Sequence, residues 1–244
     1  MRVLAQVRFP AVLFIHEESR VAPFQAELRS RYPAFRQETG QSVQIALGPG
    51  GPAFQSQPAK VWRFSDVDGA TSVMLAPDSI TLDMKAYESR TDLLERLREV
   101  LGALNRHFAP GIAERVGLRY VSRLAGDGYK QIDRMVEPSY LGIASPVLRN
   151  HVSHSISEAA LQIEEGHLLM RWGVLPANGT FDPFILEPLG EPCWVLDIDV
   201  SSAQTQPFEC ERLTENFGSL AERAYALFRH MVLDDFLVLH GGTL

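Results

Sequence analysis

Apolar and polar residues alternate strictly over several short stretches of this chain and recur at three- and four-residue spacing over a few longer ones. The first pattern predicts half-buried strands, the second amphipathic helices. Val3 to Phe9 alternates and reads as a first strand. Ala22 to Tyr32 sets Phe24, Leu28 and Tyr32 on one helical stripe, and Pro33 stops it. Strands follow at Ser42 to Leu47, Val61 to Ser65, Thr71 to Ala76 and Ser79 to Tyr87. Between two of them, Asp66-Val67-Asp68-Gly69 supplies hairpin chemistry, because Asp-Gly accepts positive φ. Asp92 to Phe108 predicts a long helix that buries Leu94, Leu97, Leu101, Leu104 and Phe108 beside Val100. Asp92 and Glu95 are its expected capping box, and Pro110-Gly111 ends it.

Arg115 to Leu124 reads as the next strand. Glycines and prolines at 126, 128, 138, 142 and 146 then break any period, so an irregular connector is expected, with one short helix near Ser145 to Asn150. His151 to Glu164 and His167 to Leu175 alternate about Gly166 as a long hairpin. Gly179 to Glu187 reads as loop and Cys193 to Val200 as strand. Leu213 to Phe236 is the final helix, with Phe217, Leu220, Ala224, Leu227, Phe228 and Met231 on its stripe and Gly241-Gly242 as its stop.

Hairpins combined with long helices predict an α+β fold, an antiparallel curved sheet with amphipathic helices packed on one side. Residues 1–124 form a strand–helix–meander–helix–strand half, 125–150 the irregular connector, and 151–244 a hairpin–strand–long-helix half, together one compact unit. Both halves end a run of antiparallel strands with a long helix, which points to a diverged two-half repeat.

At 244 residues and 22% charged, the chain can bury a sizeable core without staples. A net charge of −7 argues against broad nucleic-acid binding. Met1 to Pro10 lacks the basic and apolar regions of a signal peptide, and no run of apolar residues is long enough to span a bilayer, so a cytoplasmic protein is expected. Cys193 and Cys210 have no zinc-type spacing and read as reduced thiols.

The sharpest chemical question lies in Arg115 to Leu124. Alternation puts Gly117, Arg119, Val121 and Arg123 on one face and Leu118, Tyr120, Ser122 and Leu124 on the other. Two arginines on one strand face need carboxylates or an anionic ligand. Asp197 and Asp199 share one face of the Cys193 strand and have the geometry to pair with Arg119 or Arg123 across neighbouring strands. Other chemistry is poorly supplied. His151 and His154, on an expected strand, would point to opposite faces and cannot share a metal well. His16-Glu17-Glu18 does not continue into HExxH, and there is no GxSxG. Gly48-Pro49-Gly50-Gly51-Pro52 lacks the ending of a phosphate loop. Cys210 precedes a helix but has no histidine near it in sequence.

A set of short motifs occurs in order: Val7-Arg8-Phe9-Pro10, Tyr32-Pro33, Trp62-Arg63-Phe64-Ser65, the Asp83 to Tyr87 strand, Gly117-Leu118-Arg119-Tyr120-Val121 and Leu196-Asp197-Ile198-Asp199. The set resembles a sporadically distributed prokaryotic family of about this length with no assigned activity. The resemblance implies a cytoplasmic bacterial protein and carries over no catalytic residues.

The expectation that follows is a non-enzymatic binding or protein-interaction protein, with a protein partner or a second copy of itself and without cofactor or metal. One alternative is a pocket, of a binding protein or of an enzyme, that takes a small anionic molecule through Arg119 and Arg123 with Tyr120 nearby. Another is a ferredoxin-like RNA-binding module, which the acidic balance disfavours.

Overall fold

The computed structural model describes residues 1–48, 51–144, 148, 151–202 and 204–239, with side chains described outside 40–59. The expected short helix at 145–150, residue 148 apart, the tip of the glycine-rich turn at 49–50 and the Gly241-Gly242 stop lie outside the described residues. The elements in chain order are β1 (Arg2–Arg8), a 3-10 turn (Leu13–His16), α1 (Glu18–Leu28), β2 (Ala34–Gly48), β3 (Gly51–Ser65), β4 (Thr71–Ala76), β5 (Ser79–Met84), α2 (Arg90–Phe108), β6 (Ile112–Ala113) and β7 (Arg115–Leu124). Then follow α3 (Gly126–Lys130), α4 (Ile132–Met135), α5 (Pro138–Leu141), a 3-10 turn (Gly142–Ala144), β8 (Ser155–Ile163), β9 (Gly166–Leu175), β10 (Cys193–Ser202), β11 (Gln206–Pro207), α6 (Cys210–Met231) and α7 (Asp234–Leu239). The class is α+β with antiparallel sheet, as the periodicities predict. No helix among the described residues is long and apolar enough to cross a membrane.

The chain divides into two compact units. The N-terminal unit comprises Leu4–Val116 and Ala203–Glu215, and the C-terminal unit comprises Met1–Val3, Gly117–Ser202 and Asn216–Leu244.

In the N-terminal unit the strand order is β2-β3-β4-β5-β1. Period-2 patterning buries Trp62 and Phe64 of β3, Val73 and Leu75 of β4, and Ile80, Leu82 and Met84 of β5. Phe24 of α1 meets Phe64 at 5.6 Å and Phe108 of α2 at 5.5 Å between ring centroids. The indole N–H of Trp62 is satisfied by the Ile15 carbonyl at 2.7 Å. Two details of α2 depart from expectation. Its N-cap is Ser89, whose Oγ accepts from the Asp92 N–H at 3.1 Å, so Asp92 stands in the first turn and pairs with Arg96 instead of capping. Leu93, one turn before Leu97, is buried in place of Leu94. The β2–β3 hairpin is far longer than the two short strands expected, pairing from Ala34↔Ser65 to Gly48↔Gly51. Backbone pairing does not require apolar alternation, so the sequence pattern saw only its most regular parts.

In the C-terminal unit the strand order is β7-β10-β9-β8. β7 has the predicted bounds. Residues 125–144 are more helical than expected, as three short helices and a 3-10 turn. Pro138 opens α5 and Gly142, at φ +52, closes it, so the same breakers that hid the helices set their ends. The expected strand from His151 shrinks to Ser155–Ile163, which leaves exposed His151 and His154 outside it. The final helix ends at Met231, five residues early. Val232 forms a bridge with Val136, the Met231 carbonyl accepts from Glu137, and the Leu233 N–H donates to Met135. α7 then restarts with Asp234 and Asp235 in its first turn. Phe217, Leu220, Ala224 and Met231 are buried, whereas Leu227 and Phe228, beside the early end, are only half-buried.

The two units share one wiring. Each has a first strand, a helical segment, an antiparallel meander whose last strand lies beside the first strand, and a long helix. β5 returns to β1 in one, and β10 returns to β7 in the other.

Candidate functional site

The arginine face of β7 belongs to the C-terminal unit, and carboxylates meet it from two directions. Arg119 grips Asp197 of β10 with two parallel bonds, Nε to Oδ1 and Nη2 to Oδ2, both 2.8 Å. Its Nη1 donates to Asp182 Oδ2 at 2.9 Å. The guanidinium fork suits this bidentate grip, which a lysine could not make. Asp197 is 4% exposed, Arg119 19% and Asp182 26%, so the contact is sheltered at its base and wet at its rim. Burial disfavours the Arg119 charge, but the hydrogen bonds and fields of Asp197 and then Asp182 outweigh it and hold the pKa above that of a free arginine.

The pair is one end of a ladder of alternating charge. Asp197 stands opposite Arg171 of β9, and Arg171 stands opposite Glu158 of β8 and donates to it at 2.5 Å. Glu158, Arg171, Asp197 and Arg119 thus cross four strands with no like charges adjacent, the favourable arrangement for cross-strand neighbours.

Over this face lies the 178–189 loop, which sequence reading left without a role. Val121, Leu175, Cys193 and Val195 form an apolar floor with Leu186 of the loop, and Phe181, Ile185 and Leu189 pack against it. Thr180 Oγ1 accepts from the Asp182 N–H and donates to the Leu186 carbonyl, and the Asp182 carbonyl accepts from Ile185 and Leu186. Three arginines hold the loop. Arg119 holds the Asp182 side chain, Arg123 donates to the Glu187 carbonyl at 2.6 Å, and Arg2 donates to the carbonyls of Phe184 and Ile185 at 2.9 and 2.8 Å. The side chain of Phe184, at the tip, is 87% exposed.

Of the five residues singled out from sequence, Arg119 and Asp197 are brought together and Arg123 joins them through the loop. Tyr120, on the opposite face of β7, and Asp199, two residues beyond Asp197, are both half-buried. Asp182 and Arg2 were missed. Asp182 sits in a stretch that reads only as loop, and Arg2 is one charge in a strand of ordinary alternation.

Other chemistry is sparse. Both cysteines are free, and burial pushes each thiol above its usual range, away from the thiolate a nucleophile needs. No cluster of three or more metal-ligating side chains occurs among the described residues. A surface cavity of about 340 Å³ is lined by Tyr129, Lys130, Val152, Ser153, Pro176, Ala177 and Pro192, and none of the five sequence candidates reaches it. Comparison with protein-family models, with curated proteins and with solved structures finds no match.

Proposed function

We propose that this is a non-enzymatic protein-interaction protein, and that its C-terminal unit docks a partner along the edge of β8. One observation carries the reading. β8 closes the strand order of its unit, is nine residues long, and exposes Ser157, Glu158, Ala160, Leu161 and Gln162. Natural edges are blunted by lysines, prolines, bulges or brevity. β8 has no lysine or proline, and its one charge, Glu158, is bound by Arg171. Such an edge offers a row of backbone donors and acceptors to an added strand. The arginine face argues in the same direction. Arg119 is engaged by two carboxylates, so its charge is already met without a small anion.

The test is affinity capture with the tagged native chain, followed by mass spectrometry of proteins, nucleic acids and small molecules. A stoichiometric protein is expected, lost when Leu161→Lys places a charge on the edge while circular dichroism stays unchanged. Capture of a protein that ignores Leu161→Lys, or of a small anion alone, would refute the reading.

A further inference from the structure

We infer that the partner fitting the β8 edge is a second copy of the chain, paired antiparallel about a two-fold axis through Ala159. The inference rests on the edge reading and goes beyond it by fixing occupant and register.

An isologous interface requires a strand that is complementary to itself. Ala159 is the midpoint of Ser155–Ile163, so centring there pairs the whole strand with its copy. Opposite residues are then Ser155 with Ile163, Ile156 with Gln162, Ser157 with Leu161, Glu158 with Ala160, and Ala159 with itself. No like charges stand opposite, which is the condition a cross-strand pair must meet. Moving the axis to residue 158 would set two glutamates face to face and is excluded on that ground. In the Ala159 register the two Glu158 side chains become diagonal neighbours, and each is already neutralised by its own Arg171 at 2.5 Å. Alternation places Ala159, Leu161 and Ile163 on the face that continues through buried Leu168 and Met170 of β9, so each copy extends the other's apolar face.

The experiment uses the full chain, with sedimentation velocity across a concentration series and mild oxidation of single-cysteine additions. Opposite residues in an antiparallel pair have Cα atoms about 4.5–5.5 Å apart, within disulfide reach. Ala159→Cys should therefore cross-link to its copy. Ser157→Cys should not, because its copy lies four positions along the partner strand, about 13 Å away. The wild-type chain controls for Cys193 and Cys210. Leu161→Lys should raise the dimer dissociation constant about tenfold or more, the scale expected for losing one buried leucine. Arg171→Gln should weaken the dimer as well by unshielding the Glu158 pair. A chain that stays monomeric at every concentration overturns the second-copy inference, and leaves the edge reading to the capture of a different protein sensitive to Leu161→Lys. A dimer that neither cross-links at Ala159→Cys nor responds to Leu161→Lys overturns both.

Discussion

Removing the Arg119 guanidinium separates a structural ion pair from a ligand site more cleanly than any other change. In Arg119→Ala the Asp197 carboxylate, 4% exposed, loses both of its guanidinium bonds. Breaking one side of a buried pair costs about 3–5 kcal/mol, because the remaining charge is left desolvated. Asp182→Asn acts at the wet rim and should cost about 1 kcal/mol, between the exposed and buried limits. Replacing both members together, as Arg119→Met with Asp197→Leu, should return stability to within about 1 kcal/mol of wild type, since an apolar pair of similar size has no charge to strand. A double-mutant cycle then gives a large coupling for Arg119 with Asp197 and a smaller one with Asp182. Because the chain holds two units, the measurement should be local. Amide exchange at β7 and β10 peptides reports opening of the C-terminal unit separately from a global midpoint. Unchanged protection at β10 in Arg119→Ala, with zero coupling to either aspartate, would refute the reasoning and return Arg119 to ligand binding.

Three further outcomes are expected. Gly173→Ala should destabilise the β8–β9 hairpin by about 1–3 kcal/mol or more and open the Ser155 end of β8 first in hydrogen exchange. Gly173 sits at φ +144, and an added Cβ would lie 1.9 Å from the Ser155 carbonyl oxygen. Leu101→Ala, at a fully buried position of α2, should cost about 2–5 kcal/mol in urea unfolding; an unchanged midpoint would show that the stripe is not core. Glu165 is held below the usual carboxylate range by hydrogen bonds from Arg223, against the opposing effect of burial. A depressed folded value gives stability that is present above the unfolded carboxylate range and lost as pH falls through the depressed value. Arg223→Gln should therefore be less stable than wild type at neutral pH and converge with it in acid, with the Glu165 titration seen by NMR moving up.

Local pattern carried most of the fold. The bounds of β4 and β7 are those read from the sequence, and Phe24 and Leu28 are buried as their spacing requires, whereas α1 ends at Leu28 and buried Tyr32 lies four residues beyond it. The Arg119–Asp197 contact was legible because a strand fixes which side chains share a face, and charge demand then narrows the partners. What alternation cannot express stayed hidden. Asp182 reaches Arg119 from an aperiodic loop, where no spacing rule links it to β7. The break after Met231 depends on Val136, nearly a hundred residues earlier, and nothing in the local sequence of the helix announces it. The true cap of α2 lay three residues before the apparent one, since Ser89 and Asp92 are both good capping residues and only the backbone path chooses between them.

The return of β10 to β7 also bears on how long the folded state lasts. β8 and β9 are joined by a two-residue turn, whereas Arg119 and Asp197 are 78 residues apart in sequence. Closing a chain costs more entropy the more residues it encloses, so the meander forms ahead of the docking of its first strand. Contacts made after the rate-limiting step leave refolding speed almost untouched and act on escape from the native basin. The guanidinium fork would then serve as a late latch: in stopped-flow chevrons, its loss should speed unfolding and spare the refolding limb, whereas slower refolding would place β7 in the nucleus. Survival against proteolysis that outpaces reclosing would be set by this one clasp more than by the hairpins that form first.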